Sequence, residues 1–196
     1  MNAVGWILGM IFAAQLVVAA PIIQLQVYNA AKVPRSGVRR SLTEAVWILR
    51  QAGIELQWID CGESIRESAA LPACRPATRP GLFVLSLLGE DSREDAGNDV
   101  LGFAVLAGNR NGAAVISSRV ASLRSDYPQY ADCDITGAVI AHELGHLLLN
   151  SAKHGDGIMK ADWQPADFAA MRHRRLRFSQ AEAREIAANL SSRLVD

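Results

Sequence analysis

The chain of 196 residues is 50% hydrophobic and 20% charged, the makeup of an ordinary globular domain with enough length to bury a core, and not that of a disordered or fibrous segment. Its 20 Lys and Arg residues balance 20 Asp and Glu residues, so the formal net charge is zero and the basic footprint of a nucleic-acid binder is missing. The one local basic run, Arg172, Arg174, Arg175 and Arg177, reads as a solvated helix face and receives no role.

Residues 1–20 contain no charged side chain and are rich in Val, Ile, Leu and Ala, which reads as an export segment. Cleavage after Ala20 would make it a signal peptide and the protein secreted or periplasmic. Left uncut it would be an N-terminal membrane anchor, and Lys32, Arg35, Arg39 and Arg40 beyond it would favour a cytoplasmic C-terminus. Residues 21–196 are expected as one domain, made without a removable prodomain. Ile22 to Val27 alternates apolar and polar residues as a strand does. After a connection from Tyr28 to Arg40, Ser41 and Glu44 have the spacing of a capping box, and Leu42, Ala45, Val46 and Leu49 follow at helical spacing up to Gly53. Ile54 to Ile59 alternates again. Strand, helix, strand predicts two parallel neighbours joined by a right-handed crossover, an α/β layer arrangement.

Cys61 to Pro80 is rich in Pro, Ser and charge and reads as a surface connection. Three cysteines allow at most one internal bridge; Cys61 and Cys74 are the candidate pair, a short loop worth roughly 3 kcal/mol in an oxidising compartment. Cys133 reads as a buried thiol. Leu82 to Leu88 is short and apolar enough for a buried strand. The acidic stretch with Asp91, Glu94, Asp95 and Asp99 lacks the ligand spacing of a calcium loop and reads as solvated. Leu101 to Ala107 and Ala113 to Ser117 are expected as a hairpin around the turn-forming residues 108–112. A last helix, Ser179 to Leu190, opens with a second capping-box pair, Ser179 and Glu182.

Ile135 to Leu149 carries the chemistry. His142 and His146 stand four residues apart, so on a helix their imidazoles share one face and can reach one ion. Zinc takes His nitrogens at about 2.0–2.1 Å, and a catalytic site keeps one position for water. Glu143 lies beside that water without facing the metal. Its carboxylate would accept a proton from zinc-bound water, whose pKa falls toward about 7, and return it to a leaving amine. Ile140, Leu144, Leu147 and Leu148 fall on the opposite face, anchoring the helix in a core. Gly145 costs about 1 kcal/mol relative to Ala inside a helix, which points to close approach by another backbone element.

A third ligand must come from elsewhere, and His154 and His173 are the remaining histidines. Were the helix to continue, His154 would lie about 12 Å further along its axis. The helix must therefore end first. Asn150 can take the left-handed conformation that terminates helices and turn the chain so that His154 comes back to the metal.

On these residues, His142-Glu143-Leu144-Gly145-His146 followed by Asn150, His154 and Gly157-Ile158-Met159, the chain resembles the metzincin clan of zinc peptidases. The resemblance implies a zincin-like (metzincin-like) fold: a twisted mixed sheet of α+β or α/β character with an active-site helix and a C-terminal helix. It also implies one catalytic zinc, with Asn150 as the turning residue, His154 as the third ligand and Met159 in a turn under the metal. The clan places its turning glycine three residues, and its third histidine six, after the second histidine; here Asn stands at four and His at eight, so the loop is longer. The stretch HELGHLLLNSAKHGDGIM, with VYNAAKVP and WILRQAGIELQWIDC, is also similar to a group of short exported bacterial proteins regarded as metallopeptidases. Activity on peptides or proteins follows from the likeness, with the strand Ala113 to Ser117 expected to pair with the extended substrate. Cys74, between Pro72 and Pro76, faintly resembles an inhibitory propeptide cysteine without the surrounding pattern; a disulfide is preferred. Trp163 either walls the cleft or simply packs. Two other readings stay open: a zinc peptidase whose third ligand is Glu182 or Glu185, and an exported metal-binding or interaction domain without activity.

Overall fold

The computed structural model describes residues 20–68, 70–75, 80–90, 100–107 and 110–195. Strands β1 (Ile22–Asn29), β2 (Glu55–Asp60), β3 (Leu82–Leu88), β4 (Gly102–Ala107) and β5 (Arg110–Ile116) form one sheet in the order β2-β1-β3-β5-β4. All pairings are parallel except β4 with β5. The register explains the two faces. Leu25 lies opposite Phe83, Leu85 opposite Ala113 and Leu87 opposite Val115, so one apolar row runs across the sheet and is buried. Full burial of each such side chain is worth roughly 1.5–3 kcal/mol.

The other face carries Gln26 and Tyr28, and the segment after β2 folds over it. Tyr28 Oη donates to the Cys74 carbonyl at 2.9 Å, and Gln26 Nε2 donates to the carbonyls of Ala73 at 2.9 Å and Arg75 at 3.2 Å. Cys61 and Cys74 are bridged, their Cα atoms 5.6 Å apart. The expected surface connection is therefore partly structured, with a short helix α2 (Ile65–Ser68) and a 3-10 turn at Pro72–Cys74. The bridge joins the pair expected from the sequence, and the two polar side chains of β1 supply further anchors that the composition of this segment does not display.

Helix α1 (Arg35–Gln51) links β1 to β2. It begins at Arg35 and not at Ser41, and Ser41 is buried inside it. The apolar stripe already starts at Val38, which lines up with Leu42, Ala45 and Leu49, and Pro34 with φ −52° sets the entry without a side-chain cap. The acidic stretch 91–99, turn residues 108 and 109 and the opening residues 1–19 lie outside the described residues. Among the described residues, no helix is long and apolar enough to cross a membrane.

Helices α3 (Ser117–Asp126) and α5 (Pro165–Arg172) lie in stretches whose apolar pattern does not display them. In α3 only Val120 is buried, so there is no stripe to read. In α5 the signal was a capping box headed by Gln: Gln164 and Asp167 cap each other's backbone, with Pro165 in the first turn. Helix α4 (Asp132–Leu149) starts one turn earlier than its apolar pattern, at Asp132 and Asp134, whose charges suit a helix N-terminus. From Gly137 to Leu149 every residue of α4 is buried, because it packs against α1, the β4–β5 hairpin and α6 (Gln180–Val195), as well as α3 and α5. Such a helix is hydrophobic nearly all round, so a polar residue on it must serve a site.

The hairpin corrects one expectation. Ala113 to Ile116 is not the free strand: β5 lies between β3 and β4, with those residues all buried, and β4 is the edge, with Val105 and Leu106 exposed.

Candidate metal centre

The end of α4 sets the site. Asn150 takes φ 51° and ψ 42°, the left-handed conformation. The Ser151 N–H then reaches back to the His146 carbonyl at 3.1 Å and the Asn150 N–H to that of Leu147 at 3.4 Å, the paired bonds of a Schellman cap. The same turn aims the Ser151 carbonyl at the His146 ring, whose Nδ1 donates to it at 2.8 Å. Ser151 Oγ accepts from the Lys153 N–H at 3.1 Å and bends the chain on toward His154. Beyond it, a 3-10 turn at Gly157–Met159 is fastened to this loop by the Gly155 N–H, which donates to the Met159 carbonyl at 2.8 Å. The turn presents the Ile158 carbonyl to His142, whose Nδ1 donates to it at 2.8 Å.

Carbonyls only accept, so both Nδ1 atoms carry the protons and both Nε2 atoms are bare lone pairs. These face each other at 3.0 Å. Two lone pairs so close repel unless a cation lies between them, and a tetrahedral zinc would hold them about 3.3 Å apart. His154 completes the group: one ring nitrogen from each of His142, His146 and His154 lies within 4.8 Å of the others. The first two are buried and His154 is exposed. This donor set fits zinc, with an open side toward solvent.

Met159 is fully buried, its sulfur against Gly145. The close approach expected at Gly145 is thus made by side chains, the Met159 thioether and the Phe178 ring, and not by another backbone. Gly157, at φ +56°, has no room for a Cβ beside the Arg177 carbonyl. Glu143 is 5% exposed and borders a cleft of about 1050 Å³, which also takes in His142, His146, His154, Gly102 to Ala104 of the edge strand, Arg119 of α3 and Trp163. A Cβ on Gly102 would stand 2.9 Å from Glu143 Oε1, so the carboxylate lies against bare backbone of β4.

No family model matches the sequence, and no curated protein is similar to it. Solved structures are similar in fold. A zinc-dependent peptidase from Methanocorpusculum labreanum superposes with a TM-score of 0.57 at 18% identity, covering 83% of this chain and 99% of its own. Archaemetzincin from Methanopyrus kandleri superposes with a TM-score of 0.57 at 17% identity, covering 90% of this chain and 99% of its own. The chain has a metzincin-like fold.

Within this metzincin-like fold, His142, His146 and His154 come together and Glu143 lines the same cleft, Asn150 ends the helix that carries the first pair and Met159 packs against Gly145, while His173 is exposed and outside the histidine group. Glu182 is engaged elsewhere: its Oε2 accepts from the Ser179 N–H at 2.7 Å, capping α6, and its Oε1 sits against Gly155. Glu185 is exposed on α6. The Ser151 and Ile158 carbonyls went unforeseen because every residue has one, and Gly102 because nothing in an isolated strand marks its neighbour.

Burial pushes the His142 pKa down to about 4, against an ordinary 6.5, outweighing the Ile158 carbonyl bond that raises it; His146 is lowered for the same first reason. The unfolded chain then binds the extra proton between those two values, so metal-free protein is expected to lose stability as pH falls from about 6.5 to about 4. For His142 the loss is on the order of 3 kcal/mol. Urea unfolding of chelator-treated protein across this range checks it; His142→Asn should flatten the profile, and an unchanged slope in that variant refutes the assignment.

Proposed function

We propose that this chain is an exported zinc-dependent metalloendopeptidase. The observation that carries the reading is the meeting of three histidine nitrogens within 4.8 Å, beside a buried glutamate, on the border of a cleft. The neighbours in fold, described as a zinc-dependent peptidase and an archaemetzincin, support it. His142, His146 and His154 would hold one zinc ion. When bound there, zinc supplies a Lewis acid and brings the pKa of a coordinated water toward about 7. Glu143 acts as the general base, taking a proton on its carboxylate and returning it to the leaving amine. The edge strand β4, in place of β5, lies along the cleft and pairs with the extended substrate, which then runs past the histidines. Met159 supports the metal-facing histidines from below, and Asn150 sets the turn that brings His154 in.

The export segment belongs to the same proposal: residues 1–20 as a signal peptide, or an anchor if uncut, ahead of a domain of residues 21–196. The Cys61–Cys74 bridge supports an oxidising compartment. Elemental analysis of the purified protein, with a cleavage assay on a mixture of unstructured peptides, tests the reading. About one zinc per chain is expected, with cleavage lost on chelation and restored by zinc; a protein that takes up no metal overturns it.

A further inference from the structure

We infer that Trp163 is a positioning residue for His142, acting through the carbonyl of Ile158. The inference rests on the zinc-site reading above and concerns what holds the first ligand in place. Trp163 Nε1 donates at 3.3 Å to the same Ile158 oxygen that accepts from His142 Nδ1 at 2.8 Å. A carbonyl oxygen has two lone pairs, and here two ring N–H groups share them. The indole also stands edge-on to the imidazole, with ring centroids 5.8 Å apart and planes at 87°. The helix and core fix where the His142 side chain leaves the backbone. What remains is rotation of the ring about its last bond, and the Nδ1 bond and the indole beside it both oppose that rotation.

The indole is itself held. Its ring meets Phe168 edge-on at 6.4 Å, and Phe168 stacks on Tyr127 at 4.8 Å and lies 5.8 Å from Tyr130. The capping box of Gln164 and Asp167 fixes the backbone just after it. The peptide that carries the Ile158 carbonyl is tied from its other side as well, the Met159 N–H donating to the Asp156 carbonyl at 3.0 Å, and the Ile158 N–H donates to the Arg177 carbonyl at 3.1 Å. Trp163 is half-buried on the cleft wall, with its N–H turned inward to a main-chain oxygen.

Partners that orient a ligating histidine are typically worth about 10–100-fold in metal affinity. The test uses the full chain and its Trp163→Phe and Trp163→Ala variants. Zinc dissociation constants are measured by competition with a chromogenic chelator, and the visible d–d spectrum of the cobalt(II)-loaded protein is recorded beside them. Trp163→Phe keeps a ring and removes only the donor; it is expected to weaken zinc about 10-fold and to shift the cobalt bands, with the melting temperature of the metal-free protein little changed. Trp163→Ala, which also frees the imidazole face, should approach 100-fold. If wild type binds zinc and Trp163→Phe matches its affinity and cobalt spectrum, the inference falls while the peptidase reading stands; if wild type binds no zinc, both fall.

Discussion

Glu143→Gln is expected to keep its zinc and to lose peptide cleavage by about 10²- to 10⁴-fold, the usual worth of a general base. The change is nearly isosteric at a 5% exposed position, so packing against Gly102 is preserved while the negative charge and the capacity to take a proton disappear. Elemental analysis, melting temperature and cleavage rate measured on one preparation separate these effects. A Gln variant that cleaves like wild type would place the base elsewhere, whereas one that unfolds or sheds zinc would make Glu143 structural.

His154→Ala is expected to release zinc, and Glu182→Gln to retain it. Removing a direct ligand should weaken affinity by well over the roughly 10–100-fold that follows loss of a ligand's hydrogen-bond partner. Glu182 has another task. It and Ser179 cap α6 reciprocally, with the Glu182 N–H donating to Ser179 Oγ at 3.3 Å; its Gln variant keeps an oxygen for the Ser179 N–H and should lose only the charge at the helix N-terminus, roughly 0.3–1 kcal/mol. Zinc titrations of both variants decide the third ligand. Zinc retained in His154→Ala but lost in Glu182→Gln would reverse the assignment.

Much of the architecture could be read from side-chain periodicity, because β1, β3 and α4 each bury a face or a whole circumference, and burial of that kind leaves a pattern in the chain. The closing helix was marked by Ser179 and Glu182. What escaped reading carried no such pattern. Helix α3 buries only Val120, and α5 is headed by Gln164, outside the usual capping residues. The start of α1 was misplaced because Ser41 and Glu44 have capping spacing inside a helix, where Ser41 is buried and Glu44 pairs with Arg174 at 3.3 Å. The order of β4 and β5 depends on which of them pairs with β3, a long-range choice that two similar apolar runs leave open. At the site, spacing pointed to His142, Glu143 and His146, and a turn at Asn150 made His154 reachable. The carbonyls that orient the rings belong to no residue type.

The Ser151 and Ile158 oxygens that hold the two helical histidines are peptide groups, so replacing the side chains that carry them need not remove the bonds. What the site requires of the chain after the second histidine is its path: a left-handed step at residue 150 and a turn at 157–159. The letters of this loop can therefore change wherever the path of the chain does not, because what fastens the rings is written in the backbone.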